Sequence, residues 1–181
     1  GSPQAAVGAR LWGRNVGLVA PVGQSFADEM LCGLEMSGVD TRGVARLAGY
    51  VTPRNQIRYQ AERMIWTPAE GWDKWEQLNA ELLPLPDQYR NASLLHVITE
   101  GGGGAEATMV AKYRAEKGED QLLVSIEPVI HQVSEGLVEA LRPQTSRADL
   151  VSPDWDAALA ISRLPPALPL TLAGSAVHPE L

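Results

Sequence analysis

Residues 15–38, "NVGLVAPVGQSFADEMLCGLEMSG", constrain the fold more than any other stretch of the chain. The apolar run at the front is bounded by glycine and is too short for a helix. It reads as a central strand. Beyond the glycine turn the spacing changes, with Phe26, Met30 and Leu34 on one helical face and Leu31 beside them. Ser25 followed by Asp28 has the form of a capping box, and Asp28 and Glu29 set negative charge against the positive end of the helix dipole. Gly38 stands where that helix should stop. A strand, a tight turn, an amphipathic helix and then a second extended entry, "VDTRGV", form the repeating unit of α/β proteins.

The same alternation returns later. "SLLHVIT" reads as a strand and "GAEATMVAKYRAEKG" as a helix; "QLLVSI" and "ADLVSP" are further strands, each followed by a helical stretch. Strands and helices alternating at this spacing imply a parallel sheet covered on both faces. "GSPQAAVGARLWG" reads as an opening helix closed by Gly13. From Val39 to Trp66 polar and apolar residues mix in short extended stretches, with "TPR" as a turn; this predicts a small set of antiparallel strands appended to the main sheet. "PAEGWDKWEQLNAELLPLP" is a helix ended by its prolines. Residues 163–181 are proline-rich and show neither period, so an irregular tail is expected there.

The chain of 181 residues carries a formal net charge of -7 and is 45% hydrophobic. That length supports one domain with a sizeable core. The acidic balance provides no basic surplus to neutralise phosphodiester backbones or anionic lipid, so neither nucleic acid nor membrane is an expected partner. No apolar run spans a bilayer and no secretory signal is visible. The single cysteine, Cys32, excludes an internal disulfide and suits a reducing compartment, so a cytoplasmic location is expected. The chain begins with Gly1, which suggests processing or a piece of something longer.

Glu100 follows "SLLHVIT" at its carboxyl end, the edge at which open α/β sheets bind ligands, and a carboxylate there can accept hydrogen bonds from sugar hydroxyls. The competing reading is a loop acid that caps the next helix. Four glycines, 101–104, follow at once; they match neither G-x-G-x-x-G nor a Walker A loop and read as a flexible turn. Glu127 closes "QLLVSI", and Asp154 follows "ADLV". Each alone reads as a loop or helix-start acid, but Glu100, Glu127 and Asp154 together would line one sheet edge and suit a polar ligand or magnesium. His96 is expected to be a core histidine with a backbone partner, Cys32 a packed thiol, and the tryptophans packing residues. The three histidines lack zinc-ligand spacing.

Taken in order, "GARLWGRNVGLVAPVGQSFADEMLCGLEMSGVDTRGV", "TPR", "IRYQAERMIW", "LLHVITEG", "LLVSIEP" and "ADLVSPDWDAALAIS" resemble the PfkB/ribokinase-like carbohydrate kinases. The resemblance extends over residues 1–162. It implies an α/β three-layer sandwich with a mostly parallel central sheet and a small antiparallel β lid at about residues 39–66, here incomplete. It also implies ATP-dependent phosphorylation of a sugar or sugar-like alcohol with magnesium, and a possible homodimer through the lid. By the same resemblance Gly1 belongs to a glycine-rich sugar-holding segment and Glu100 is a substrate-contacting acid. Asp154 stands at the asparagine of the family's N-x-x-E motif, with Ala157 at its glutamate. The family's first strand and its G-A-G-D segment, with the catalytic aspartate and anion hole, do not occur in these residues, so no catalytic residue is assigned and the chain alone is not expected to be an efficient kinase. Two alternatives stand beside this: a catalytically dead homologue that binds a ligand or partner subunit, and an unrelated α/β nucleotide-binding regulatory domain.

Overall fold

The structure, a computed structural model, describes residues 2–13, 15–60, 63–99, 105–118, 121–128, 145–153 and 158. The elements run α1 (Ser2–Leu11), β1 (Val16–Gly23), α2 (Asp28–Met36), β2 (Val39–Leu47), β3 (Asn55–Gln60), β4 (Arg63–Pro68), α3 (Trp72–Asn79), a 3-10 turn (Asp87–Tyr89), β5 (Leu94–Thr99), α4 (Ala105–Lys117), β6 (Leu123–Pro128) and β7 (Leu150–Val151). The fold is α/β, with mostly parallel sheets and one small antiparallel sheet. Among the described residues the strands form three sheets, β1-β2, β3-β4 and β5-β6-β7.

β1 and β2 are parallel, with Val16 opposite Val39 and Gly23 opposite Leu47. Residues 39–47 are therefore not part of an antiparallel set, as their mixed polarity suggested. The crossover through α2 brings β2 back in the same direction as β1, and only β3 and β4 pair antiparallel. β1 has a single described neighbour, β2, rather than the two of a central strand. One face of this pair carries Leu18 and Val39, which pack with Ala6 of α1 and with Leu34 of α2. The other face accepts the connection that leads to β5. Tyr89 lies across Gly17 and Gly43, where an added Cβ would come within 2.5 and 2.9 Å of its ring. Its hydroxyl donates to the Asp40 carbonyl at 2.9 Å, and burial pushes the phenol up to about 12.

α2 begins at Asp28, not at a Ser25 cap: its N-cap is Ala27, with no side-chain cap bond. The reason is tertiary. Arg46 on β2 pairs with Asp28 and donates to the Phe26 carbonyl, so the acid that a capping box would turn inward is drawn to the neighbouring strand. The helix ends as expected at Gly38, whose φ of 81° suits glycine.

β5 and β6 are parallel in the register Leu94–Leu123 to Thr99–Pro128, and β7 pairs with β6 through Ser125–Leu150 and Ile126–Val151. Val97, Val124 and Ile126 point to one face and form a core with Val110 and Tyr113 of α4. Asp149 pins this unit: its carboxylate accepts the Val124 N–H at 2.7 Å and pairs with Arg114 of α4. Asp149 is held below the usual carboxylate range, first by the Val124 N–H and then, after an opposing effect of burial, by Arg114. Asp40 is also held well below it, first by hydrogen bonds from the Arg42 side chain, whose Nε lies 2.9 Å from Oδ1.

Both acids bind protons less readily when folded. Their stabilising effect is present above the unfolded carboxylate pKa of about 4 and is lost as pH falls below it. The expected outcome is a melting temperature that drops between about pH 5 and pH 3. In Asp149→Asn that drop should be shallower, as followed by circular dichroism melts across the range. An equal slope in the two proteins would show that Asp149 does not link folding to protons.

Candidate functional site

In a parallel sheet all strands end at one edge, and ligands of open α/β folds bind there. β5 ends at Thr99, β6 at Pro128 and β7 at Val151, on a common edge. Glu127 is described there, as the penultimate residue of β6. Glu100 directly follows β5 and Asp154 follows β7 by three positions, but both lie outside the described residues, as do Gly1 and glycines 101–104. The topology thus delivers the chain segments before Glu100 and Asp154 to the edge that carries Glu127. It says nothing of those two side chains.

Side-chain alternation separates the two faces of β5 and β6. Since Val97, Val124 and Ile126 meet α4, His96, Ser125 and Glu127 share the opposite face. Ser125 is 7% exposed and sits opposite His96 in the register. His96 Nδ1 lies 3.1 Å from Ser125 Oγ, and His96 Nε2 lies 3.4 Å from Glu127 Oε2. Glu127 is directly opposite Ile98, so its carboxylate leans back diagonally across the strand pair to reach His96.

His96 is therefore not a core histidine with a backbone partner. Its side chain is 29% exposed and has a hydroxyl and a carboxylate as partners. Cys32 is exposed, not packed, because α2 buries no residue fully. Trp12 is 84% exposed and Trp72 44%, so these two are not packing residues; Trp72 meets Trp75 edge to face at 5.8 Å. The link among His96, Ser125 and Glu127 was absent from the sequence reading. A signal for it existed: aligning "LLHV" with "LVSI" as parallel neighbours sets His96 against Ser125.

The donor set at this edge bears on magnesium. Among the described residues no group of three or more His, Cys, Asp or Glu could hold a metal ion. A lone carboxylate still fits magnesium used with phosphates, since that ion commonly keeps one or two carboxylates and takes its other oxygens from phosphate and water. Glu127, with a side chain 38% exposed, is such a carboxylate. Elsewhere, a cleft of about 520 Å³ lies between the connection to β5 and the end of α4, lined by Leu85, Tyr89, Leu95, Tyr113 and Lys117 among others. It sits toward the amino ends of β5 and β6, away from Glu127.

No known family profile matches the chain, and no curated protein matches it. Solved structures do. A PfkB protein from Polaromonas sp. JS666 is 15% identical with a TM-score of 0.69, over 90% of this chain and 57% of that one. A PfkB family carbohydrate kinase from Listeria grayi is 16% identical with a TM-score of 0.66, over 93% and 55%. A putative ribokinase II from E. coli, solved in complex with ATP and magnesium, is 19% identical with a TM-score of 0.62, over 90% and 56%. The chain thus spans little more than half the length of each. At these identities the likeness is one of fold, and the resemblance expected from the ordered segments holds at that level.

Proposed function

We propose, from the ribokinase-like fold that this chain displays over most of its length, that it belongs to an ATP-dependent phosphotransferase acting on a sugar or sugar-like alcohol. The observation that carries the proposal is the common carboxyl edge of β5, β6 and β7, with Glu127 on it and Glu100 and Asp154 next along the chain. In this reading Gly1 and Glu100 contact the sugar hydroxyls, and Glu127 and Asp154 serve the magnesium and the phosphate. Magnesium would neutralise charge on the transferred phosphoryl group. The residues of this chain would bind and orient the acceptor and hold the metal's water and phosphate ligands in place. The resemblance assigns the base that accepts the hydroxyl proton to a G-A-G-D segment, which does not occur in residues 1–181. Phosphoryl transfer by these residues alone is therefore weak or absent: each 1.36 kcal/mol of lost transition-state stabilisation is about tenfold in rate.

A second reading is a subunit-interaction role without catalysis. The β3-β4 hairpin supports it, since Ile57 and Tyr59 project from one face of β3 at 52% and 76% exposure. Two such hairpins could cover one another in a homodimer. Just before β3, Arg54 pairs with Glu70 at 2.6 Å and ties the root of the hairpin to the turn before α3.

One experiment separates the readings. Thermal stability is followed while magnesium–ATP and a panel of sugars are titrated, with sedimentation alongside. A ligand at one hundred times its dissociation constant stabilises the folded state by about 2.7 kcal/mol. A rise in melting temperature with a sugar, lost in Glu100→Ala, is the expected result. No shift with any ligand, together with a dimer that Tyr59→Glu dissociates, would replace the kinase reading with the interaction role. No described helix is long and apolar enough to cross a membrane.

A further inference from the structure

We infer that His96 is a positioning residue for Glu127, held in place by Ser125. The inference rests on the reading of Glu127 as the carboxylate that serves metal and phosphate. An ionised carboxylate only accepts hydrogen bonds, and a neutral imidazole has one donor and one acceptor nitrogen. In the tautomer that places the proton on Nε2, toward Glu127, Nδ1 accepts from the Ser125 hydroxyl at 3.1 Å. Ser125 is suited to this, being 7% exposed on the middle strand of the sheet and flanked by the fully packed Val124 and Ile126. Its hydroxyl orients the ring, and the ring orients the carboxylate. At 3.4 Å from Oε2 the ring lies beyond a direct hydrogen bond, and its N–H dipole attracts the carboxylate toward this face. Loss of a partner of this kind, one step behind a metal-binding carboxylate, typically costs about 10–100-fold in metal affinity.

The test uses the full chain, with Mn2+ as the probe for magnesium in the presence of ATP and free Mn2+ followed by electron paramagnetic resonance. Wild type, Glu127→Gln, His96→Leu, Ser125→Ala and the double variant His96→Leu/Glu127→Gln are compared. The expected result is that Glu127→Gln and His96→Leu each weaken Mn2+ binding by about tenfold or more. The double variant should be no weaker than Glu127→Gln alone, because both substitutions remove one coupled unit. Independently of the metal, the imidazole 15N signals of His96 should move in both Ser125→Ala and Glu127→Gln.

If Glu127→Gln weakens binding while His96→Leu does not, the positioning role falls and Glu127 keeps its own. The role also falls if the two effects multiply in the double variant. If Glu127→Gln leaves binding unchanged, the reading of Glu127 fails and the positioning role fails with it. Should His96→Leu not fold, Ser125→Ala decides: unchanged binding together with unchanged His96 signals overturns the inference.

Discussion

Replacing Ile126 with alanine is expected to lower the unfolding free energy by about 3 kcal/mol, within the range of about 2–5 kcal/mol for truncating a large buried aliphatic side chain. Ile126 is 1% exposed and sits on the middle strand of its sheet, where Val97, Val110 and Val124 surround it. The surrounding groups come from three elements, β5, β6 and α4, and β6 is hydrogen-bonded on both sides, so the cavity has little room to collapse. The cost is then the lost transfer energy plus that of the void. Urea denaturation measures it: the midpoint should fall with little change in slope. Leu123, on the same strand but 58% exposed, provides the contrast, and Leu123→Ala should change stability far less. Equal losses for the two would mean that α4 does not cover the sheet face described here. The prediction also concerns the site, because Ser125 and Glu127 flank Ile126 and depend on the same strand for their placement.

Gly23→Ala is expected to cost about 2–3 kcal/mol, as overpacking against atoms that cannot give way. Its Cβ would come to 2.2 Å from the Thr52 nitrogen and 2.4 Å from the Val51 carbonyl carbon. Both are backbone atoms of a segment anchored by the Gln24 N–H donating to the Tyr50 carbonyl at 3.1 Å. To make room, either β1 separates from residues 50–52 or its pairing with β2 shifts. Gly33→Ala is the matched control: an added Cβ at that exposed helical position meets nothing within 4 Å. Alanine there should stabilise by up to about 1 kcal/mol through helix propensity. Thermal or urea unfolding of the two variants should therefore move in opposite directions. A Gly23→Ala protein as stable as Gly33→Ala would show that residues 50–52 do not lie against the end of β1.

Local pattern carried a large part of the fold. The glycine-bounded run became β1, the apolar period became α2, and "SLLHVIT" and "QLLVSI" became neighbouring parallel strands, because short-range spacing reflects which face of an element must be buried. The candidate edge was legible to the same extent. Strands joined through helices run parallel and end at one edge, and Glu127, the penultimate residue of β6, is found there. Gly1, Glu100 and Asp154 stay proposals, since they lie outside the described residues.

Other features lay beyond any local window. The direction of residues 39–47 depends on the crossover that precedes them, and mixed polarity does not encode it. The capping pattern at Ser25 failed because Arg46, 18 residues beyond Asp28, pairs with that acid. His96 and Ser125 are 29 residues apart and meet only once the register of β5 against β6 is set.

By itself, then, the amino-acid order determined which of the described stretches are strands and which are helices, and that an acidic chain of this alternation builds a mostly parallel α/β fold; the helices expected after β6 and β7 and the irregular tail at 163–181 lie outside the described residues. Burying apolar surface at a regular period needs nothing but neighbouring residues. The tertiary structure alone decided that Tyr89 packs on two glycines, that Arg46 takes the acid of the would-be cap, and that His96 stands between Ser125 and Glu127. Each of these is a contact between distant residues, and only the pairing and packing of whole elements brings such atoms within reach of one another.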